Sequence, residues 1–299
     1  MSTDLRRQRR LTGRYARVDG IPFMMPVNSE HSPALMVGFG IDAAAAAALL
    51  PGGEVHPLRL PNGRGVLFLT VIDYRTTDIG SYIEFSVAIA CTHGAGPAPA
   101  LLPMLLRGHY GTGQYVLDLP VSTEISVRGG KGIWGMPKHQ ANLDYTISDR
   151  EVTSQYDLDG QLAVRIEIDV PRSPGIPLSV SSSNYCTFRG MLMRSSVAFQ
   201  AKAHVAVGRW AGARLYLGDS PRVDPLRTLD ISGRPLFTVW LPETHGILDD
   251  HIESWFVTSD TPLAPVEEGI DSVVDLTMSE QWLEPPNAPH GSALGAADS

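Results

Sequence analysis

From residue 65 onward the chain alternates apolar and polar positions with a period of two, in short segments separated by turn-forming residues. Gly65–Tyr74, Ser81–Cys91, Gln114–Leu119 and Glu124–Val127 read as strands. Leu143–Ile147, Glu151–Asp157, Leu162–Val170 and Ser195–Gly208 follow, and Arg214–Leu217 and Phe237–Leu241 add two short ones. Asp159-Gly160, between two of these runs, is a hairpin signal. Helical periodicity is sparse. Ala43–Leu50 is an alanine run with Asp42 as its N-cap and Pro51-Gly52-Gly53 as its stop, and Ala98–Arg107 is a second candidate. Closely spaced strands with few helices predict a mainly β (α+β) fold, antiparallel and barrel-like or sandwich-like, rather than repeated βαβ units.

The ends of the chain differ from this body. Arg6-Arg7-Gln8-Arg9-Arg10 is a basic run with no apolar segment behind it, so residues 1–19 read as a mobile basic tail rather than a secretory signal. From Asp260 the composition shifts to Pro262, Pro265, Glu267 and Glu268, ending in Pro285-Pro286 and small residues. Residues 260–299 are therefore expected to form an extension whose last part has too few apolar residues to offset ordering. Trp282 and Leu283 are its candidates for docking on the body or on a neighbouring subunit. The body spans residues 20–259.

Composition then excludes several classes. The content is 43% hydrophobic and 19% charged, ordinary for a globular protein, and the longest apolar run, Ala43–Leu50, is too short to span a bilayer. A formal charge of −8 argues against nucleic-acid binding. Two cysteines, Cys91 and Cys186, do not make a disulfide framework and fit a reducing, cytoplasmic setting. The nine histidines are dispersed without metal-ligand spacing, so no metal site is expected. Neither a Walker loop nor Gly-x-Ser-x-Gly occurs, and Gly129-Gly130-Lys131-Gly132 is not followed by a helical pattern that would complete a phosphate cradle.

The stretch from Arg128 to Tyr145 carries the candidate chemistry. It sets Lys131, Trp134, Met136, Lys138 and His139 among four glycines and Pro137. Proline fixes its own φ and pushes Met136 toward an extended conformation, so Lys138 leaves a defined backbone direction into a partly apolar setting. Burial there disfavours an ammonium and leaves a nucleophilic amine, able to condense with a ketone or aldehyde. On an extended segment His139 points to the opposite face from Lys138. Upstream, Tyr82 and Glu84 alternate in Tyr82-Ile83-Glu84-Phe85 and share one face of a strand.

Gly130-Lys131-Gly132-Ile133-Trp134-Gly135-Met136-Pro137-Lys138 resembles the acetoacetate decarboxylase family, whose signature runs Gly-Arg-Glu, a hydrophobic stretch, then Pro-Lys-Lys. Gly80-Ser81-Tyr82-Ile83-Glu84 resembles its Gly-x-Tyr-x-Glu segment. Trp210–Leu215 and Pro225-Leu226 resemble its C-terminal strand and loop, so the likeness spans roughly residues 20 to 256 in scattered blocks. The resemblance implies an antiparallel closed or double β-barrel-like sheet with a few short helices, in a homo-oligomer that needs no cofactor. It implies Lys138 as the Schiff-base lysine and Glu84 as the active-site glutamate. Glu124 falls on an acidic position of the pattern, and Lys131, Tyr82, Trp134, Met136 and His139 join it as candidate substrate-binding residues.

The sequence departs from the family where the substrate is recognised. His139 replaces the second lysine, Gly130-Lys131-Gly132 replaces Gly-Arg-Glu, and a second glutamate of the family corresponds to Leu69. An arginine near the N-terminus has no counterpart around Asn28 to Pro33. The resemblance implies a lyase acting on a small oxo acid through an imine and an enamine, with loss of CO2. Two alternatives stand beside it. One is aldol, dehydration or cyclisation chemistry through the same imine, on an oxo acid or an aldehyde. The other is a barrel that binds an apolar small molecule without turnover.

Overall fold

The computed structural model describes residues 13–258, and the expected C-terminal extension lies outside them. The chain opens with a hairpin of β1 (Arg14–Val18) and β2 (Ile21–Met25), so strand pairing begins inside the segment that the sequence reads as a tail. Next come β3 (Val27–Ile41), helix α1 (Ala43–Ala48), β4 (Val55–Pro57), β5 (Gly65–Tyr74), β6 (Thr76–Thr77) and β7 (Tyr82–His93). Helix α2 (Leu102–Leu105), β8 (Gly113–Val121), helix α3 (Glu124–Trp134) and β9 (Lys138–Gln140) form the middle of the chain. Then follow β10 (Asn142–Leu143), β11 (Thr146–Ile147), β12 (Glu151–Leu158), β13 (Gln161–Asp169), β14 (Ile176–Phe188) and β15 (Met191–Val207). Strand β16 (Ala213–Leu217), helix α4 (Asp224–Arg227) and β17 (Pro235–Phe256) complete the described chain.

Seven strands close on themselves in the order β7-β5-β3-β17-β15-β14-β8, with β8 pairing back onto β7. The closed, mainly β architecture agrees with the sequence expectation. It is mixed rather than wholly antiparallel, because β8 runs parallel to both β14 and β9. A second, antiparallel sheet orders β10-β12-β13-β16, with β11 also on β12. Asp159 and Gly160 both have positive φ and turn the chain between β12 and β13, as a two-residue hairpin requires.

Alternation decides which side chains face the barrel interior. Leu35, Val37 and Phe39 of β3, Leu67, Leu69 and Val71 of β5, and Phe85, Val87 and Ile89 of β7 are fully buried. They share one core with Tyr156, Ile166 and Ile168 of the second sheet. The intervening residues, among them Met36, Thr70, Ile72, Tyr82, Glu84 and Ser86, line the barrel cavity instead. Both faces of these strands are covered, so the core supplies stability while the inner face is left for chemistry.

The segment before Lys138 differs from its sequence reading. Glu124–Val127 is not a strand but the first turn of α3, which carries the chain from β8 across to its parallel neighbour β9. Gly129, Gly130 and Gly132 lie inside this helix, a composition that costs helical propensity. Packing explains them: a Cβ on Gly129 would meet Phe23, one on Gly132 would meet Val18, and one on Gly130 would stand 2.3 Å from Lys138 Cδ. Of the four glycines in this stretch Gly135 is the one at positive φ, capping α3 at φ 66° with its N–H on the Lys131 carbonyl. Elsewhere α1 forms with Asp42 as its N-cap, accepting from Ala45 N at 2.7 Å, and the expected helix at 98–107 shrinks to α2. Leu143–Ile147 splits into β10 and β11. Among the described residues no helix is long and apolar enough to cross a membrane.

Candidate active site

Parallel pairing of β9 with β8 sets Leu119 opposite Lys138 and Pro120 opposite His139. This register turns the lysine into the barrel. Its side chain is 6% exposed, and Nζ lies 2.7 Å from Glu84 Oε2, a carboxylate that is itself 15% exposed. Nζ also donates to Ser126 Oγ at 2.9 Å. The Tyr82 ring centroid is 5.3 Å from Nζ, and Tyr74 stacks on Tyr82 with centroids 4.6 Å apart. An ammonium buried to this degree is tolerated because carboxylate, hydroxyl and aromatic face surround it.

Burial pushes the phenols of both Tyr74 and Tyr82 well above their ordinary range, and the nearby Glu84 carboxylate adds to the effect. Both stay neutral near pH 7 and present hydroxyl groups to the site rather than phenolates. The cavity in front of Lys138 holds about 110 Å³. Trp134, Met136, Leu119 and Val116 supply its apolar wall, whereas Gln114 and Asn184 form a polar pair across it, Gln114 Nε2 donating to Asn184 Oδ1 at 2.8 Å. Among the described residues, Lys138 is the one cation of the lining and Glu84 the one anion.

Five of the sequence candidates thus meet in one cavity: Lys138, Glu84, Tyr82, Trp134 and Met136. The other three lie elsewhere. Glu124 is exposed in the first turn of α3 and pairs with Arg128, where it suits the positive end of the helix. Lys131 is not in the cavity lining, and it lies outside the buried face of the helix that carries Ser126, Gly130 and Trp134. His139 faces away from Lys138, as strand alternation requires, and its Nε2 lies 2.9 Å from Asp118 Oδ1. Asp118 is buried and also receives Arg222 at 3.0 Å and the Tyr156 hydroxyl at 2.8 Å, so this cluster ties β8 and β9 to the second sheet. Leu69 also faces the second sheet, and its neighbour Thr70 takes the inward position with a buried hydroxyl that lacks a hydrogen-bond partner.

Ser126, Tyr74 and the Gln114–Asn184 pair were not singled out from sequence. Ser126 becomes visible once the segment is treated as helical: Ser126, Gly129 and Gly130 then share one buried face at spacings of three and four. Tyr74 needed only the alternation of β5, which places Thr70, Ile72 and Tyr74 on one side. Among the described residues one group of possible metal ligands also escaped the sequence pattern, because His31 is distant in the chain from the other two. His31, Glu243 and His245 bring ligand atoms within 4.8 Å of one another at the surface, outside the Lys138 cavity.

A closed β-barrel with a buried lysine–carboxylate pair at its inner wall defines the class. Family comparison agrees: the family model described as acetoacetate decarboxylase (ADC) matches residues 14–244, and the chain belongs to that family. Among solved structures it is similar to the enduracididine biosynthesis enzyme MppR complexed with pyruvate, at TM-score 0.55 and 15% identity over 77% of this chain and 90% of that one. An acetoacetate decarboxylase structure matches at TM-score 0.54 and 15% identity, over 77% and 89% of the two chains. The acetoacetate decarboxylase of Legionella pneumophila subsp. pneumophila str. Philadelphia 1 matches at TM-score 0.50 and 13% identity, over 75% and 85%. No curated protein sequence matches the chain.

Proposed function

We propose that the protein is an imine-forming lyase that uses Lys138 as nucleophile and Glu84 as its proton partner on an oxo acid. The observation that carries this reading is the lysine itself, 6% exposed, with Nζ 2.7 Å from a carboxylate and facing an apolar cavity. Glu84 takes a proton from the lysine, and the free amine adds to the substrate ketone. The same carboxyl group then protonates the carbinolamine oxygen, which leaves as water to give an iminium ion. Electrons of the bond to the carboxylate flow into the iminium, CO2 departs, and an enamine remains. Protonation of the enamine carbon and addition of water release the ketone and restore the lysine. Apolar walls favour the step, because charge is dispersed as the carboxylate becomes CO2.

The second reading keeps the imine and changes the bond that breaks. It is favoured by the lining itself: among the described residues Lys138 is its one cation, so they give a substrate carboxylate no further fixed counter-ion. The related enzyme MppR has been solved in complex with pyruvate and with the condensation product of pyruvate and imidazole 4-carboxaldehyde. The deciding measurement is borohydride trapping with a panel of oxo acids and aldehydes, read by intact mass beside CO2 release. An adduct on Lys138 with CO2 evolved supports decarboxylation, and an adduct without CO2 supports aldol or dehydration chemistry. No adduct with any carbonyl compound would sink the imine.

Gly130 offers a separate check on the geometry. In Gly130→Ala the new Cβ would fall 2.3 Å from Lys138 Cδ and 2.7 Å from Cε, so the lysine must leave its place between Glu84 and Ser126. Alanine favours the helix by up to about 1 kcal/mol, which offsets only part of the cost of parting Lys138 from Glu84, so the Tm is expected to fall. Adduct formation is expected to slow on the order of 10²-fold, the cost of displacing a reacting group by about 1 Å. A normal rate of adduct formation would show that the lysine need not sit where the helix holds it.

A further inference from the structure

The cavity at Lys138 is the small end of a longer interior space. At about 110 Å³ it accommodates a reacting carbonyl group and a few neighbouring atoms. Met36, Gln114, Ser182 and Phe199 line it and also line a second chamber of about 690 Å³, further along the barrel axis. Strand β5 gives the direction: Ile72 and Thr70 stand at the lysine end, and Phe68 and Val66 at the other. From Ile72 to Val66 the strand covers roughly 20 Å at about 3.3 Å per residue, longer than an extended medium-length hydrocarbon chain.

The wide chamber is walled by Leu58, Val66, Phe68, Ala90, Val180 and Leu236. Leu58, Val66 and Ala90 are buried and form a cluster with Phe68 and Leu236. Among the described residues its one charged lining residue, Arg107, is engaged with the Ser181 carbonyl at 3.0 Å. The chamber reaches solvent at Met104 and Val207, which are 54% and 61% exposed. Its size lies within the range of small-molecule sites, and its lining suits hydrocarbon rather than a polar group. A small oxo acid would leave all of it unused.

Resting on the imine reading above, we infer that the substrate is a carbonyl compound with an extended hydrocarbon tail. Its carbonyl carbon meets Lys138, and its tail threads past Met36 and Phe199 into the chamber between Ala90 and Val180. The expected substrate class is a medium- or long-chain 3-oxo acid or a ketone or aldehyde of that length. The carbonyl and the tail are common to all of them.

The test uses the full-length protein and 2-alkanones from butanone to 2-undecanone, trapped with borohydride and quantified by intact mass. Half-saturating concentrations are expected to fall roughly three- to fourfold per added methylene until the chamber is filled. Ala90→Phe and Val180→Trp, which put aromatic bulk into the chamber, should collapse the ratio between 2-undecanone and butanone toward one. Adducts on Lys138 that do not depend on chain length, or that favour butanone, would overturn the tail inference and leave the imine reading intact. No adduct at any length would overturn the imine reading instead. The chamber is then judged by calorimetric binding of 1-decanol against 1-butanol: strong preference for decanol supports it, and equal or absent binding overturns it.

Discussion

Replacing Lys138 with methionine is expected to lower turnover on the order of 10⁴-fold or more, the scale seen when a covalent nucleophile is removed. The borohydride adduct should vanish with it. Methionine matches the stem of lysine in length and apolar character, so Trp134, Met136 and Gly130 keep their packing partner. What it removes is the ammonium, and Glu84, only 15% exposed, then faces an apolar cavity without its cation. Breaking a buried pair from one side costs about 3–5 kcal/mol, because the remaining charge is left uncompensated. For a domain of this size that corresponds to a fall in Tm of roughly 10 °C. The double variant Lys138→Met with Glu84→Gln should recover most of the loss while staying inactive, which separates the stability effect from the chemical one. Calorimetry and activity on the same three proteins check both. A single variant as stable as the wild type would mean that the pair contributes little to folding, and residual adduct would mean that another amine can form it.

How far the sequence reaches depends on what each stretch packs against. Strand β5 coincides with its sequence reading, Gly65–Tyr74, because its outward residues Leu67, Leu69 and Val71 meet the second sheet and its boundaries are polar. Strand β3 escaped because Asn28-Ser29-Glu30-His31-Ser32-Pro33 is polar, and His31 sits at positive φ where the pairing with β17 is irregular. Strand β14 escaped because Ser179 and Ser181–Ser183 replace the apolar half of the pattern. Ser182 and Asn184 are among its inward positions, and they meet a ligand cavity rather than a core. Of β17's 22 residues only Phe237–Leu241 had a strand pattern, since Pro242 and Gly246 fall where its register shifts.

The site shows the same division. Glu84 and Tyr82 were legible as a pair because alternation fixes their common face, and His139 was legible as facing the other way. Whether a face looks into the barrel or out of it is a property of sheet closure, which no local pattern encodes. The error at α3 has a different origin. Its glycines are read as turns by propensity, yet each of Gly129, Gly130 and Gly132 admits a side chain from another element. Tertiary packing overrides propensity there, and the result is that a helix delivers both Ser126 and the space for Lys138.

That geometry makes Glu84 the second position with a large expected effect. Glu84→Gln preserves the size of the side chain and its hydrogen bond to the lysine but removes its ability to accept the lysine proton or return one to the carbinolamine oxygen. Loss of a positioned acid–base group lowers rates by about 10²–10⁴-fold. The neighbouring phenols do not substitute for it: Tyr74 and Tyr82 are held neutral by burial and by the carboxylate, so neither is a base near pH 7. Adduct formation should therefore slow by that factor and still reach the full extent, because the nucleophile is intact. Glu84→Asp, which keeps the carboxylate but withdraws it by one methylene, should fall between wild type and the glutamine variant. A purely structural glutamate gives a different pattern, in which Asp is no better than Gln and the end point of trapping drops along with the rate.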